Sequence, residues 1–312
     1  MTDAGGGARP AFVPIPEARL RSGLGAWGLS DARLAPLPRG AQGEVFRVED
    51  RSGRRWLAKY AYMDRHDFEP GLLAAEVVSA GAMRAATPNR TSSGQLVAMV
   101  EWPDGVAHPL ALLTWIAGQP LDPTTPAAAP AIGRTLGRVQ TLLLDAGRER
   151  LGLSTERDYL GYLRSTTQDL GDHDWLHARN AALVGEVDEL AATGTLTCGP
   201  GVWDGPEIVV DRDGAFGLID FGNVDWHPVA HVAAYGTTQV SPPGCDDPPL
   251  VETFLSAFTQ ECRLTAADVE AIPIFRNVTL AIYAKFMATQ RAAGRLDVGL
   301  EDFLYRSLAD LR

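Results

Sequence analysis

Lysine is nearly missing from this chain: of 28 basic residues only Lys59 and Lys285 are lysines, and the rest are arginines. Enrichment in Ala, Arg and Gly is what a GC-rich genome produces, so each retained lysine calls for a reason tied to its position. Cysteine is scarce too. Cys198, Cys245 and Cys262 are odd in number and widely spaced, which argues against a disulfide framework or a zinc site and makes a cytoplasmic location the expectation. No apolar run reaches 18 residues, and no basic segment followed by an apolar one opens the chain. Neither a membrane span nor a signal peptide is therefore expected. Positive charge is in deficit, with a formal net charge of −11, which argues against a general nucleic-acid or anionic-membrane binder.

What is present is enough for a substantial core. At 312 residues and 46% apolar, the chain can form one large or two small domains. The Gly/Pro-rich segment 1–16 reads as mobile, and Leu24–Leu34 reads as a short helix. Strand patterns then cover Leu34–Pro38, Glu44–Val48 and Arg55–Tyr60, with a turn at Asp50–Gly53. Between the first two strands lies Arg39-Gly-Ala-Gln-Gly43. Its glycines, Gly40 and Gly43, would let backbone N–H groups approach phosphates, although a plain hairpin turn has the same composition. Lys59 follows on the next strand, sixteen residues beyond Gly43, and Glu76 sits seventeen residues later in a helix pattern over Glu69–Arg84. Leu96–Glu101 and His108–Trp115 read as a hairpin.

Pro and Ala dominate Thr124–Pro130, which marks a boundary. A helix with Ile132, Leu136, Val139, Leu142 and Leu143 on one face follows. Arg157–Leu163 and Arg179–Ala192 are further helices. After Val229–Tyr235 comes a helical tail of Pro249–Cys262, Thr265–Arg291 and Leu300–Leu311. Thr265 and Asp268 form a capping-box pattern, and Pro273 is expected to kink or split its helix.

The stretch from Thr197 to Trp226 organises the rest. Two apolar strands, Glu207–Val210 and Phe216–Ile219, flank a turn at Asp211-Arg-Asp-Gly214, and Asp220-Phe-Gly222 follows. This layout resembles the catalytic loop and metal-binding Asp-Phe-Gly of the aminoglycoside phosphotransferase / choline kinase family, and is most similar to its hydroxylysine-kinase-like branch. There the loop reads His-Gly-Asp-x-x-x-x-Asn, with the metal Asp thirteen residues beyond the Asn. Counting back from Asp220 puts Glu207 at the family's Asn, Val202 at its catalytic Asp and Pro200 at its His. The family's downstream Asp-Leu-Ala, whose Asp braces the loop, matches His231-Val-Ala233.

The resemblance covers roughly residues 30–312 and implies an α+β, bilobal, protein-kinase-like fold. An N-terminal segment 1–29, mobile or capping, would precede an N-lobe at 30–118 with a small antiparallel five-stranded sheet. A larger, mainly helical C-lobe would occupy 119–312 and shape an acceptor pocket. It implies nucleotide-binding roles for Gly40, Gly43, Lys59 and Glu76, with Lys59 reaching the phosphates and pairing with Glu76, or with Glu69 in its place. Backbone groups near Trp115, Ile116 and Ala117 would face an adenine ring. Asp220 and Glu207 would hold Mg²⁺, and ATP would be the nucleotide. A hinge-like segment at Leu112–Leu121 also reads simply as a strand leaving a sheet.

At the loop the chemistry departs from the family. Valine neither accepts a proton nor orients a hydroxyl, and loss of a positioned general base costs about 10²–10⁴ in rate. Pro200 removes an imidazole and a backbone N–H, and Glu207 adds negative charge facing any phosphate. The reading is therefore a pseudokinase-like or repurposed accessory protein that binds a partner, a peptide or a small ligand. By analogy only, modified-peptide biosynthesis is one setting for it. The alternative is an active phosphotransferase with a substitute base, Asp204, acting on a small-molecule or peptide hydroxyl. Asp225, and a metal-binding His227/His231 pair, are weaker readings: surface turn acids account for the first, and the second lacks a third ligand.

Overall fold

Alternating apolar positions along the first third of the chain produce the antiparallel sheet that this pattern predicts. The computed structural model describes residues 14–38, 43–102, 105–154, 159–245, 247–293 and 298–311. The chain divides into two compact units. The first comprises 1–120, 150–152 and 205–224, and the second comprises 121–149, 153–204 and 225–312. Gly205–Val224 is grouped with the first unit, although the chain on either side of it belongs to the second.

In the first unit, β1 (Arg33–Pro36), β2 (Gly43–Glu49), β3 (Arg55–Ala61), β4 (Pro88–Asn89), β5 (Ala98–Glu101) and β6 (Ala107–Thr114) make a six-stranded sheet rather than five. Its order is β1-β2-β3-β6-β4, with β5 paired to β6. Helix α1 (Glu17–Leu24) lies earlier than the expected Leu24–Leu34 helix, which ends in strand β1 instead. Ile15, Leu20 and Leu24 are buried with Val48, Trp56, Tyr60 and Leu110, so from Ile15 onward the N-terminal segment is packed core. The 16-residue helix α2 (Arg65–Ala80) starts one turn before its expected position, and Ala82, at φ 64°, turns the chain back toward the sheet.

A separate three-stranded sheet joins β10 (Phe216–Ile219), β9 (Glu207–Val210) and β7 (Gln119–Pro120) in that order. The β9–β10 turn falls at Asp211–Gly214 as predicted. Asp211 Oδ1 accepts the Asp213 and Ala215 N–H groups, and Gly214 takes the left-handed conformation that spares a side chain strain.

The second unit is mainly helical, in line with the sequence reading. Its helices are α3 (Ala128–Arg150), α4 (Gly161–Arg164), α5 (Trp175–Ala192), α6 (Val229–Val240), α7 (Pro248–Glu261), α8 (Ala266–Ala292) and α9 (Val298–Asp310). The only strands described in this part are β8 (Cys198–Val202) and β11 (Val224–Pro228), which pair with each other. Gly133 and Gly137 bring α3 against the backbone of Phe254 and Phe258 on α7, an approach closer than any Cβ would permit. Thr265 and Asp268 form the expected capping box at the head of α8. Pro273 does not divide that helix, which runs on for 27 residues with the proline in its N-terminal third. Among the described residues, no helix is long and apolar enough to cross a membrane.

Candidate functional site

Lys59 is placed by sheet register. On β3 it lies opposite Val45 of β2 and Ala111 of β6, in the middle of the sheet, and is largely buried. Gly43, opposite Ala61, passes so close to the Tyr60 carbonyl that any Cβ would overlap it. Gly40 and the remainder of 39–42 lie outside the described residues, so of the glycine turn only Gly43 is placed.

Asp220 is held by its neighbours on three sides of the β9–β10 hairpin. Strand β7 pairs with β9, and Gly118 lets the incoming chain lie directly over the Val210 carbonyl. On the other side, Leu218 exchanges backbone hydrogen bonds with Arg84 and Ala86, and Arg84 forms an ion pair with Asp211 at 2.5 Å. Immediately after Asp220, the Phe221 carbonyl rests against Gly71 of α2, where a Cβ would overlap it. Asp220 itself has φ 58°, a left-handed conformation that short polar residues tolerate better than most and that clusters at functional sites.

These constraints bring Lys59 and Asp220 together: the Lys59 ammonium donates to Asp220 Oδ1 at 2.6 Å. The lysine is deeply buried and the aspartate half exposed. Glu207, at the exposed start of β9 and opposite Ile219, shares this neighbourhood. Burial and the Asp220 charge raise its carboxyl above the usual range, and Lys59 pulls it back only in part.

The expected partner of Lys59 is corrected here. Glu76 is held instead by Arg90, whose Nη2 donates to both its carboxylate oxygens at 2.9 Å. The fallback, Glu69, pairs with Arg65 one turn away on the same helix. The arginine thus engages the whole carboxylate through one nitrogen, and the lysine is taken by Asp220. Trp115, Ile116 and Ala117 form an unpaired stretch between β6 and β7. Ile116 packs on Gly217 of β10, and Ala117 is exposed.

The loop positions lie in the second unit. Val202 ends β8 with 1% of its surface exposed, a core side chain. Pro200 is buried, and its carbonyl accepts from Gln140 Nε2 at 2.9 Å. Asp204 is half-buried in the bend that follows. Asp225 is 3% exposed within β11, where its Oδ1 accepts the Trp226 N–H, so it is not the surface turn acid the sequence indicated. His227 and His231 are both buried with ring centroids 5.3 Å apart, yet no third ligand joins them. Among the described residues, no three His, Cys, Asp or Glu side chains gather as a metal cluster.

Sequence reasoning missed the contact of Gly71 with Phe221. A glycine inside a helix pattern is a signal of close packing. It placed Asp268 in the α8 capping box but missed its second contact, in which the carboxylate accepts from the Thr197 backbone and hydroxyl at 2.8 Å each.

The donor set fits a hard divalent cation. Mg²⁺ is commonly bound by one or two carboxylates and completes its shell with water and phosphate oxygens, and Asp220 with Glu207 supply two. Lys59 beside them fits a phosphate.

No family model matches the chain, and no curated protein does. Solved structures do. An amicoumacin kinase, in complex with AMP-PNP and Ca²⁺, is 16% identical, with a TM-score of 0.71 over 89% of this chain and 87% of its own. A microcompartment-associated aminopropanol kinase is 15% identical, with a TM-score of 0.63 over 94% and 95%. An aminoglycoside phosphotransferase from Alicyclobacillus acidocaldarius is 18% identical, with a TM-score of 0.59 over 97% and 94%.

Proposed function

We propose that this chain, which has the fold of the aminoglycoside phosphotransferases and choline kinases, binds a nucleotide with a divalent cation and has lost ordinary phosphoryl transfer. The observation that carries this reading is a contrast between two positions. The metal-type carboxylate survives, placed by a hairpin and paired with Lys59 at 2.6 Å, whereas the proton-handling position is a core valine, 1% exposed.

In such a protein Asp220 and Glu207 would hold the cation, and Lys59, once released by the cation, would meet phosphate oxygens. Gly40, Gly43 and the backbone of Trp115–Ala117 would complete the nucleotide contacts. A bound cation would supply neutralisation of phosphate charge. Without an acceptor-side base, the biological output is recognition: a peptide or protein partner, or a small ligand, and by analogy a place in modified-peptide biosynthesis. With 39 acidic against 28 basic residues, neither nucleic acid nor an anionic membrane suits it as a partner. A cytoplasmic setting agrees with its three free cysteines.

The second reading, active transfer with Asp204 as substitute base, is favoured by the similar structures named above, all of them kinases or phosphotransferases. One experiment separates the two. Calorimetric titration with Mg-ATP is run beside an ATP-turnover assay containing candidate hydroxyl acceptors, on the wild type, Asp220→Ala and Asp204→Ala. Binding that Asp220→Ala removes, without turnover, supports the accessory reading. Turnover abolished by either substitution overturns it, and absence of binding at millimolar ATP overturns both.

A further inference from the structure

The loop at the family's catalytic position rests on two buried histidines. His231 of α6 is sandwiched between Trp203, stacked at 5.8 Å and 11°, and Phe275 of α8, stacked at 5.4 Å and 28°. His227 of β11 meets His231 edge-on at 5.3 Å, and its ring carbon lies so close to Gly201 that a Cβ there would come within 3.1 Å of it. Tyr159 covers both imidazoles, with ring centroids at 5.9 and 6.0 Å. His227 Nδ1 lies 3.1 Å from the Pro228 carbonyl. Both nitrogens of His231 are buried with no hydrogen-bond partner, whereas His227 is held by the backbones of Pro228 and Gly201.

A neutral imidazole always carries one N–H, and burying it unpaired costs about 1–3 kcal/mol. Phenylalanine would fill the same slot in the Trp203–Phe275 stack at no such cost. The structure therefore places a titratable ring where packing alone does not require one.

We infer that the His227–His231 pair is an acid-released support for the Pro200–Asp204 loop: neutral, it seats Trp203 and Gly201; protonated, it lets them go. This inference rests on the loop and the pair alone and does not depend on nucleotide binding. The groups packed around the rings supply little to stabilise charge. Tyr159 offers a phenol, α8 offers the Phe275 ring, and Gln140 of α3 gives its Nε2 to the Pro200 carbonyl while its Oε1 lies beside Gly201 without a partner. Arg276, next to Phe275, donates to the Ser241 carbonyl, Asp225 lies two residues before His227 on β11, and Asp204 closes the loop.

Burial drives both imidazoles down, His227 to about 4 and His231 well below its ordinary value, the latter also because His227 is beside it. Attraction of an imidazolium to the Trp203 face is worth about 2 kcal/mol when desolvated. An unpaired buried charge costs several kcal/mol, so release wins. The sign follows. Below its ordinary value of 6.5, an exposed His227 takes a proton that the seated one refuses until about 4, so acid favours the open loop.

Hydrogen exchange at the amides of 198–204, corrected for intrinsic rates and measured without nucleotide, tests this. Protection is expected to fall by at least about tenfold between pH 7.5 and pH 5. It is expected to hold across that range in the double variant His227→Gln/His231→Phe. Should that variant fail to fold, His231→Phe alone is expected to raise the melting temperature at pH 7.5 and to weaken its fall in acid. Unchanged wild-type protection at pH 5, equal acid loss in the double variant, or a lowered melting temperature for His231→Phe at pH 7.5 would each overturn the inference.

Discussion

Lys59 donates to Asp220 at 2.6 Å although 161 positions separate them in the chain. The pair sets the charge balance of the candidate site. With Glu207 beside it, two carboxylates face one ammonium, and burial and Asp220 already hold the Glu207 proton above its ordinary range. Glu207→Asn removes one negative charge without changing the side chain's reach greatly. Affinity for free ATP is expected to rise by about tenfold, equivalent to about 1.4 kcal/mol, while dependence on Mg²⁺ weakens. Isothermal titration with and without Mg²⁺ checks this, and unchanged affinity would remove Glu207 from the site.

Gly71 makes a prediction opposite in sign to the usual helix rule. Replacing an interior helical glycine by alanine ordinarily stabilises by about 1 kcal/mol. Here the new Cβ would overlap the Phe221 carbonyl, so Gly71→Ala is expected to destabilise by about 1–3 kcal/mol. Urea denaturation measures it, and any gain in stability would contradict the described packing of α2 on the Asp-Phe-Gly segment.

Asp268 links the start of the organising stretch to the tail. It caps α8 through Thr265 and accepts from both Thr197 donors, which sit one residue before β8. Those hydrogen bonds hold its carboxyl below the usual range against the opposing effect of burial. Asp268→Ala is expected to cost about 3 kcal/mol, a lost cap plus hydrogen bonds to a buried charge. The wild type should lose this contribution only in acid, as pH falls through the depressed folded-state value, and the variant should lack that acid limb in a pH series of melts.

Lys285 should act in the other direction along the pH scale. It is fully buried on α8 and donates to the Tyr162 and Ser165 carbonyls at the end of α4. Burial lowers its ammonium from 10.5 to about 8. Between those values the unfolded chain keeps a proton that the folded chain has shed, so this residue makes stability rise with pH there. Lys285→Met should flatten that rise in melts taken from pH 8 to 10, and an unaltered slope would refute the assignment.

Both lysines singled out by their rarity proved to be buried and engaged, one at the candidate site and one under a helix end. The two strands around Asp211–Gly214 were legible because their apolar runs end in a turn with Asp and Gly at fixed places. The Lys59–Asp220 contact was not. A spacing identifies a strand and a following helix, but which carboxylate wins the lysine depends on competitors such as Arg90, a residue no local pattern marks as a partner of Glu76. Pro273 does not split its helix for a related reason: tertiary packing along α8, with Phe275, Val278 and Ala281 buried, outweighs one missing backbone donor. The buried state of Asp225 was hidden because an acid beside a turn usually faces water.

The hairpin carrying Asp220 belongs to the first unit, yet its chain enters at Gly205 from the second and leaves again at Val224. Strand β9 is also where β7, the last strand before the chain first departs, finds its partner. A cut at the end of β7 therefore separates the lysine from its aspartate. A fragment ending at Pro120 would keep Lys59 and forfeit Asp220, and a fragment beginning there would do the reverse. A fragment that keeps both must run through at least Asp220, and so carries Leu121–Glu149 and Leu153–Asp204 of the second unit with it.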